Sequence, residues 1–408
     1  MNFDELAELF NGVAIVIDDE LGDPEKKANI FGIVEQINKA KIPVVCYREL
    51  PNDDEIRHFK NISFLILDWK LLPKNSATDS LPEVKEPESL KEYYEDNNIN
   101  FINKLSKICF CPIFIFSNEH SNEIKQRLIA EKLYIAGKSN RISVHRKSSI
   151  IKPRKLFAVI SQWLSQNPSM YVLKKWEYEY RKTINSFFNE FQEINPNWTH
   201  IMWNCFEKDN KQENDDYSLE LGDLLAKNIF TRMAPFEFKK EILAKKNKTS
   251  NPDDLRKILE GGRYLSKKYL KEDDIGTGDL FKAKNEQDGK DYYWLNIRPQ
   301  CDLLRKKKDD IDLYCLKGRV LEKSKIGKDF LWHEGKILEK SNHSVVEFID
   351  NGKIIEFLFR DIKIFQWKKQ RNHRIGRILP PYINHIQQRY SLYLQRQGLM
   401  RIPEKAIE

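Results

Sequence analysis

The N-terminal part of the chain contains a series of short apolar runs, each followed at once by a polar or charged residue. Continuous apolar runs of this length are typical of strands buried on both faces of a parallel sheet. Three such runs occur at residues 12–17, 62–67 and 112–116, and a fourth, at residues 141–145, alternates apolar and polar side chains. This pattern predicts an α/β domain with a parallel sheet.

Three carboxylates follow the first two runs. Asp18 and Asp19 come after residues 12–17, and Asp68 comes after residues 62–67. Ligands bind at the carboxyl ends of strands in open parallel sheets, so these side chains are expected to converge. Converging acids repel one another and resist ionisation unless a cation lies between them. Because Mg²⁺ prefers carboxylates, water and phosphate oxygens, the sequence predicts a magnesium site for phosphoryl chemistry.

Ser117 and Lys147 extend this pattern to the ends of the third and fourth runs. The series Asp-Asp, Asp, Ser and Lys, each closing a successive strand, resembles the receiver domains of two-component response regulators. The segment Ile-Val-Ile-Asp-Asp-Glu at residues 15–20 is similar to the opening motif of that family. The resemblance covers about residues 10–165 and implies a doubly wound, flavodoxin-like sheet with strand order 2-1-3-4-5.

The resemblance also implies a role for each site residue. It assigns Mg²⁺ to three carboxylates and one backbone carbonyl: those of Asp18, Asp19, Asp68 and Lys70, respectively. Asp68 is the phosphoacceptor, Ser117 bonds the phosphoryl group, and Lys147 pairs with its charge. A carboxylate can act as a nucleophile and form an acyl phosphate, with catalysis supplied mostly by positioning and charge neutralisation. No independent enzyme active site is expected.

Two features depart from the receiver pattern. The segment between the second and third runs is unusually long, which predicts an insertion at about residues 71–106 with a helix at Leu90–Leu105. The lysine is also ambiguous, because Lys152 begins a Lys-Pro dipeptide typical of the family, whereas Lys147 directly follows the fourth run. We favour Lys147 because the alternation ends just before it. Either departure is compatible with a degenerate receiver that does not accept phosphate.

At 408 residues, the chain is too long for a receiver alone. Apolar residues recur with a helical period from Tyr171 to Ile194, which predicts a helical middle region that serves as a linker or a homodimer interface. Short alternating runs and the turn signal at Asp350-Asn-Gly352 predict a small antiparallel β-rich output domain further on. The predicted regions are receiver, helical middle, β-rich domain and basic C-terminal segment, at residues 1–167, 168–261, 262–365 and 366–408.

Charge is distributed unevenly along the chain. Residues 1–100 carry 21 acidic and 11 basic residues, whereas residues 360–408 carry 11 basic and 3 acidic residues, and a terminal helix is predicted at about 383–397. Basic segments with interleaved aromatic residues are compatible with nucleic-acid binding. The candidate binding residues are the basic ones of this segment: Lys368, Lys369, Arg371, Arg374, Arg377, Arg389 and Arg396. Docking onto the acidic N-terminal half or onto an acidic partner is equally compatible with this charge.

The cysteines and the lengths of the apolar segments indicate the cellular compartment. The six cysteines are scattered, as expected of a reduced cytosolic protein. The N-terminus lacks the basic flank and apolar core of a signal peptide, and the apolar runs are far shorter than a membrane span. We therefore predict a cytoplasmic protein without a membrane partner.

The long insertion and the tail at residues 374–403 resemble a family of bacterial response-receiver proteins. Members occur in anti-phage conflict loci beside ATPases that resemble histidine kinases or heat-shock chaperones. This resemblance implies a regulator that a partner histidine kinase phosphorylates on Asp68 in order to switch a C-terminal output. Two alternatives are a pseudo-receiver that docks a partner ATPase without phosphorylation, and a nucleic-acid-binding regulator acting through residues 360–408.

Overall fold

The chain forms two compact units, Met1–Lys246 and Asn247–Glu408, which together make a mixed α/β protein. The computed structural model describes most of both units, namely residues 3–22, 29–71, 88–150, 155–210, 217–233, 235–244, 251–284, 289–304, 311–322 and 343–396. Within these residues, every helix is too short or too polar to span a lipid bilayer.

A five-stranded parallel sheet lies at the centre of the first unit. Its strands in chain order are β1 (Val13–Ile17), β2 (Val44–Tyr47), β3 (Ile62–Asp68), β4 (Ile113–Ser117) and β5 (Ile142–Arg146). They are arranged in the order β2-β1-β3-β4-β5, which confirms the predicted fold class. Every residue of β3 and β4 is buried, as expected of inner strands covered on both faces.

Helices cover both faces of this sheet. They are α1 (Phe3–Leu9), α2 (Asn29–Lys39), α3 (Asp53–Ile56), α4 (Glu88–Ile108), α5 (Ser121–Ala130) and α6 (Lys155–Gln166). One core joins α1, α2 and α6 to Phe64 and Phe114, and the other joins α4 and α5 to Leu65 and Ile115. The helix predicted at Leu90–Leu105 is therefore α4, whereas residues 72–87 of the predicted insertion lie outside the described residues.

The predicted helical region packs onto the same core. Its helices are α7 (Pro168–Ile194), α8 (Trp198–Asn210), α9 (Ser218–Arg232) and α10 (Lys240–Leu243). Met170 and Tyr171 of α7, together with Ile242 of α10, are buried in the cluster that contains α1 and α6. Residues 168–244 thus extend the first unit, and the boundary between the two units falls after them.

The second unit is built on a seven-stranded antiparallel sheet. Its elements in chain order are α11 (Pro252–Gly261), β6 (Tyr264–Ser266), β7 (Asp279–Lys284), β8 (Asp291–Asn296), α12 (Gln300–Leu304), β9 (Asp312–Val320), β10 (Ser344–Ile349), β11 (Lys353–Gln366), α13 (Trp367–Gln370), β12 (Arg374–Ile378) and α14 (Tyr382–Leu394). The strand order is β10-β11-β9-β8-β7-β12-β6. The predicted turn joins β10 to β11, where Asp350, Asn351 and Gly352 all have positive φ angles.

The C-terminal segment belongs to the core of this sheet. β12 pairs with β7 on one side and with β6 on the other. Ile383 and Ile386 of α14 are buried against Leu295 and Leu316 on one face of the sheet. Removing residues 366–408 would therefore take an inner strand and a packed helix out of the fold.

Candidate functional site

The polar residues predicted from the strand ends meet at one edge of the parallel sheet. Asp18 directly follows β1, Asp68 ends β3, Ser117 ends β4, and Lys147 directly follows β5. Because all five strands run in the same direction, these positions share the carboxyl edge. The four residues are 1%, 5%, 1% and 2% exposed, respectively. Polar side chains so deeply buried need partners, and their partners define the site.

Lys147 is the central cation of this edge. Its Nζ lies 2.7 Å from Asp68 Oδ2 and 2.8 Å from Asp18 Oδ2. A third, partly exposed carboxylate, that of Glu20, lies 3.2 Å from the same Nζ. One ammonium group cannot neutralise several carboxylates, so this edge of the sheet retains an excess of negative charge.

Three carboxylates at this edge are close enough to share a metal ion. One oxygen each from Asp18, Asp19 and Asp68 lies within 4.8 Å of the others. Lys147 Nζ, 2.8 Å from Asp18 Oδ2, is the cation that these acids now share. Several carboxylates around one ammonium group favour the binding of a further positive charge. The donor set therefore fits Mg²⁺, which prefers carboxylate oxygens.

The protonation of the buried acids reflects the same charge excess. Burial raises the pKa of Asp68 to about 8, since the attraction of Lys147 only partly offsets desolvation and Asp18 adds repulsion. Burial likewise raises the pKa of Asp18. Burial acts to lower the pKa of Lys147, but Asp68 and Asp18 outweigh it and raise that pKa. The lysine thus stays charged while the acids resist full ionisation.

Backbone amides of the loops after the strands orient the acids. Glu20 N donates to Asp18 Oδ1 at 3.0 Å, and Lys70 N donates to Asp68 Oδ1 at 3.3 Å. On the neighbouring strand, Ser117 Oγ accepts a hydrogen bond from Glu119 N at 3.2 Å. Short loops directly after the strands therefore hold each carboxylate and the serine in place.

Of the two candidate lysines, the structure brings Lys147 into contact with the acids, and Lys152 lies outside the described residues. Glu20 was not predicted as a site residue. Its position directly after Asp18-Asp19 is the sequence signal that could have identified it, because a turn there brings its carboxylate back towards Lys147.

The basic residues of the C-terminal segment differ in their exposure. Arg374 is buried: its guanidinium donates to the backbone carbonyls of Lys271, Asp274 and Glu272 and lies 3.5 Å from Asp279. The other candidate residues are at least partly exposed: Lys368, Lys369, Arg371, Arg377, Arg389 and Arg396. The guanidinium of Arg374 is therefore part of the core of the second unit and is not available to an external phosphate.

Arg377 is also held within the second unit. Its Nε donates to Asp279 Oδ1 at 2.7 Å, and another guanidinium nitrogen lies 3.2 Å from Asp274 Oδ2. At the end of α14, the Arg396 guanidinium lies over the ring of Tyr393 at 4.4 Å. Arg374 and Arg377, two of the seven candidate residues, thus make contacts that stabilise the second unit.

Comparison with protein-family models and with curated proteins finds no match for this chain. The chemistry of the site is therefore the basis for assigning a function. Buried carboxylates beside one buried lysine can hold a divalent cation and neutralise a phosphoryl group. A carboxylate in such a site can also act as a nucleophile towards phosphorus.

Proposed function

We propose that this protein is a response-regulator-like signalling protein that accepts a phosphoryl group on Asp68. The observation that carries the proposal is the convergence of Asp18, Asp19, Asp68 and Lys147 at the carboxyl edge of a sheet with strand order β2-β1-β3-β4-β5. These residue types at these strand ends are what the resemblance to receiver domains requires.

Asp68 is the nucleophile in this proposal. One of its carboxylate oxygens attacks the phosphorus of a phosphohistidine on a partner kinase, and the new P–O bond forms as the P–N bond breaks. The freed imidazole stays on the kinase. Lys147, which now pairs with the carboxylates, would instead pair with the phosphoryl oxygens and neutralise their charge. Ser117, at the end of the next strand, donates its hydroxyl hydrogen to the same group.

The carboxylates of Asp18, Asp19 and Asp68 would hold Mg²⁺ together with the backbone carbonyl of Lys70. When bound, the cation supplies charge neutralisation for the carboxylates and the incoming phosphoryl group. The convergence of these three acids beside the one ammonium group of Lys147 supports this assignment.

We further propose that the phosphoryl donor is an ATPase resembling a histidine kinase or a heat-shock chaperone, and that phosphorylation switches a C-terminal output. In that setting, the protein would act in bacterial anti-phage defence. The resemblance of residues 374–403 and of the long insertion to response-receiver proteins supports this part of the proposal.

A pseudo-receiver adaptor, which docks the ATPase without being phosphorylated, is the second candidate function. One observation favours it: Lys147 Nζ already lies within hydrogen-bonding distance of both Asp18 and Asp68. A lysine that partly neutralises the pair lets the domain fold without a cation. The adaptor would then use the sheet edge and its surrounding loops only as a docking surface.

Incubation with acetyl phosphate and Mg²⁺, followed by intact mass measurement, separates the two candidates. We expect the wild-type chain to gain one phosphoryl group and Asp68→Asn to gain none. Asp54→Asn is the matched control, because Asp54 is an exposed acid at the start of α3, and this variant should be labelled like the wild type. A wild-type chain that stays unlabelled, while an active receiver is labelled alongside it, would establish the pseudo-receiver.

A further inference from the structure

One face of the antiparallel sheet carries a row of aromatic side chains. Tyr292 and Trp294 of β8 lie directly opposite Arg319 and Lys317 of β9, and directly paired residues share a face. Phe365 of β11 belongs to the same face, because its register with β9 has the same parity. Three strands therefore present aromatic and basic residues on one side.

The aromatic rings form a continuous row. The Trp294 ring lies 4.9 Å from that of Phe365 and 6.0 Å from that of Tyr292, with interplanar angles of 73° and 82°. Edge-to-face contacts of this kind fix the rings beside one another. All three side chains remain partly exposed, although Trp294 and Phe365 also pack against a small buried cluster that contains Phe281 and Trp367. On the opposite face, Tyr293 and Leu295 are buried in the core under α14.

Exposed cations cover this aromatic row. Lys317 Nζ lies 5.6 Å from the centre of the Tyr292 ring, and Lys363 Nζ lies 5.1 Å from that of Phe365. Arg319 adds a third cation and pairs with Glu356, an acid of the same face, at 2.7 Å. Around the aromatic rings, the cations Lys317, Lys363 and Arg319 outnumber Glu356, so this part of the face carries a positive charge.

The charge of the face agrees with that of its unit. Residues 247–408 contain 34 basic and 24 acidic residues, whereas residues 1–246 contain 35 basic and 37 acidic residues. The whole positive excess of the chain therefore belongs to the second unit. A polyanionic partner is favoured there over a neutral one.

We propose that this surface binds single-stranded nucleic acid. It is defined by Tyr292, Trp294, Lys317, Arg319, Lys363 and Phe365 and is here termed the aromatic–basic face. Unpaired bases stack on aromatic rings while lysine and arginine neutralise the phosphates, and this combination is typical of single-strand binding. A base that stacks on Tyr292 or Phe365 would displace the lysine now above that ring, and the lysine would move to a phosphate.

The chemistry of the face favours a single strand over the other polyanions. The bases of a duplex are stacked on one another and cannot reach the rings. An acidic peptide would use the cations but would leave the rings without a partner. The proposed contacts involve base faces and phosphates only, so we expect ribose and deoxyribose strands to bind equally. This function does not depend on phosphorylation of Asp68.

Fluorescence anisotropy with the full-length protein tests the proposal. The probes are labelled oligothymidine and oligouridine of about 12 nucleotides, a length within the usual range of single-strand sites. We expect both to bind, with an affinity that falls steeply as salt is added, and a duplex of the same length to bind at least about tenfold more weakly. Failure of both single strands to bind, or tighter binding of the duplex, would overturn the proposal.

Two variants examine the two parts of the face. Trp294→Leu keeps apolar packing but removes the stacking surface, and it should weaken binding about tenfold or more. Lys317→Gln/Lys363→Gln should weaken binding and reduce the slope of log K against log salt by about 1.4, or about 0.7 for each phosphate contact. Thermal unfolding of each variant checks that the fold is intact.

The matched control is Lys267→Gln/Lys268→Gln, which removes the same charge from two exposed lysines of the same unit. Lys268 also lies over a ring, that of the exposed Tyr269, but outside the aromatic–basic face. This control should bind like the wild type. An equal loss in the control would show that binding is nonspecific. Competition by oligoglutamate as strong as that by the oligonucleotide would indicate an acidic protein partner. Either outcome would overturn the proposal.

Discussion

Each unit of the protein buries a cluster of charged side chains, and the two clusters differ in their balance of charge. In the first unit, Asp18 and Asp68 share the buried ammonium group of Lys147. In the second unit, the carboxylate of Asp279 lies against the guanidinium groups of Arg374 and Arg377, and Arg377 also pairs with the partly exposed Asp274. The first cluster has more acids than cations, whereas the second pairs two arginines with two acids.

The two clusters are also completed differently. Arg374 donates to several backbone carbonyls of the loop before β7, and Asp279 accepts a hydrogen bond from Gly276 N at 2.9 Å, although Arg374 Nε has no acceptor among the described residues. The charges of the second cluster are thus paired within the fold. In the first unit, Asp18 and Asp68 share one ammonium group at an edge that also carries the partly exposed Asp19 and Glu20. A cluster whose charges are paired inside the fold indicates a structural role, whereas unbalanced acids at a sheet edge indicate a binding site.

The largest effect is expected where the structural cluster is broken. Asp279→Asn removes the carboxylate charge that faces both guanidinium groups and should lower the free energy of unfolding of the second unit by about 3–5 kcal/mol. Urea unfolding measures this loss in the free energy of unfolding. It is followed through tryptophan fluorescence, to which Trp294 and Trp367 of the second unit contribute. A loss below about 1 kcal/mol would show that the backbone carbonyls alone hold the arginines.

Lys147→Met should destabilise the first unit, and a divalent cation should restore its stability. Without Lys147, Asp18 and Asp68 face each other unpaired, and the first unit should lose about 3 kcal/mol of stability in the absence of divalent ions. Mg²⁺ should restore most of this loss by binding the folded state. Thermal unfolding with Mg²⁺ and with chelator measures both effects. No rescue by Mg²⁺ would contradict the metal assignment.

Glu347 tests whether burial alone disfavours a carboxylate in the second unit. Burial raises its pKa from 4.5 to about 7, and Arg263, 3.4 Å away, only partly offsets this. The folded state therefore binds the proton more tightly than the unfolded state does, and the stability from this group is present below pH 4.5 and lost as pH rises through 7.

Glu347→Gln should accordingly be more stable than the wild type at pH 8, by about 1–2 kcal/mol, and about equally stable at pH 4.5. Urea unfolding at the two pH values checks this difference. A constant difference between variant and wild type at both pH values would exclude titration of Glu347 as the cause.

The smallest effect is expected at an exposed ion pair. Lys227 and Asp223 lie one helical turn apart on α9, with Nζ and Oδ2 separated by 2.6 Å. Lys227→Ala should change the free energy of unfolding by less than about 0.5 kcal/mol, because water and salt screen such pairs. A loss comparable to that in Asp279→Asn would show that burial is not what separates structural from surface charge pairs.

Much of the candidate site could be predicted because each residue follows its strand directly. The apolar runs at residues 62–67 and 112–116 are the inner strands β3 and β4, and the polar residues that end them lie at the carboxyl edge. β2 was not predicted from its sequence. It is a four-residue edge strand whose burial does not alternate, and its apolar run at residues 44–47 is shorter than those of the inner strands.

The basic tail shows what the sequence does not reveal by itself. Arg374 and Arg377 were candidates for nucleic-acid or partner binding because they belong to a basic segment with interleaved aromatic residues. Their common partner, Asp279, is far away in the chain and is brought close only by the pairing of β12 with β7. The aromatic–basic face has the same origin, since Trp294 meets Phe365 only through the register of β8, β9 and β11.

The sequence by itself determined the parallel-sheet class, the strand ends that carry Asp18, Asp68, Ser117 and Lys147, and the hairpin turn at residues 350–352. These features are local, because apolar periodicity and turn residues act over a few neighbouring positions. Only the tertiary structure decided which charges are neutralised and which face of the antiparallel sheet carries partly exposed aromatic rings. Strand order and register bring together residues that are distant in the chain, and burial then determines whether each charge must find a partner inside the fold.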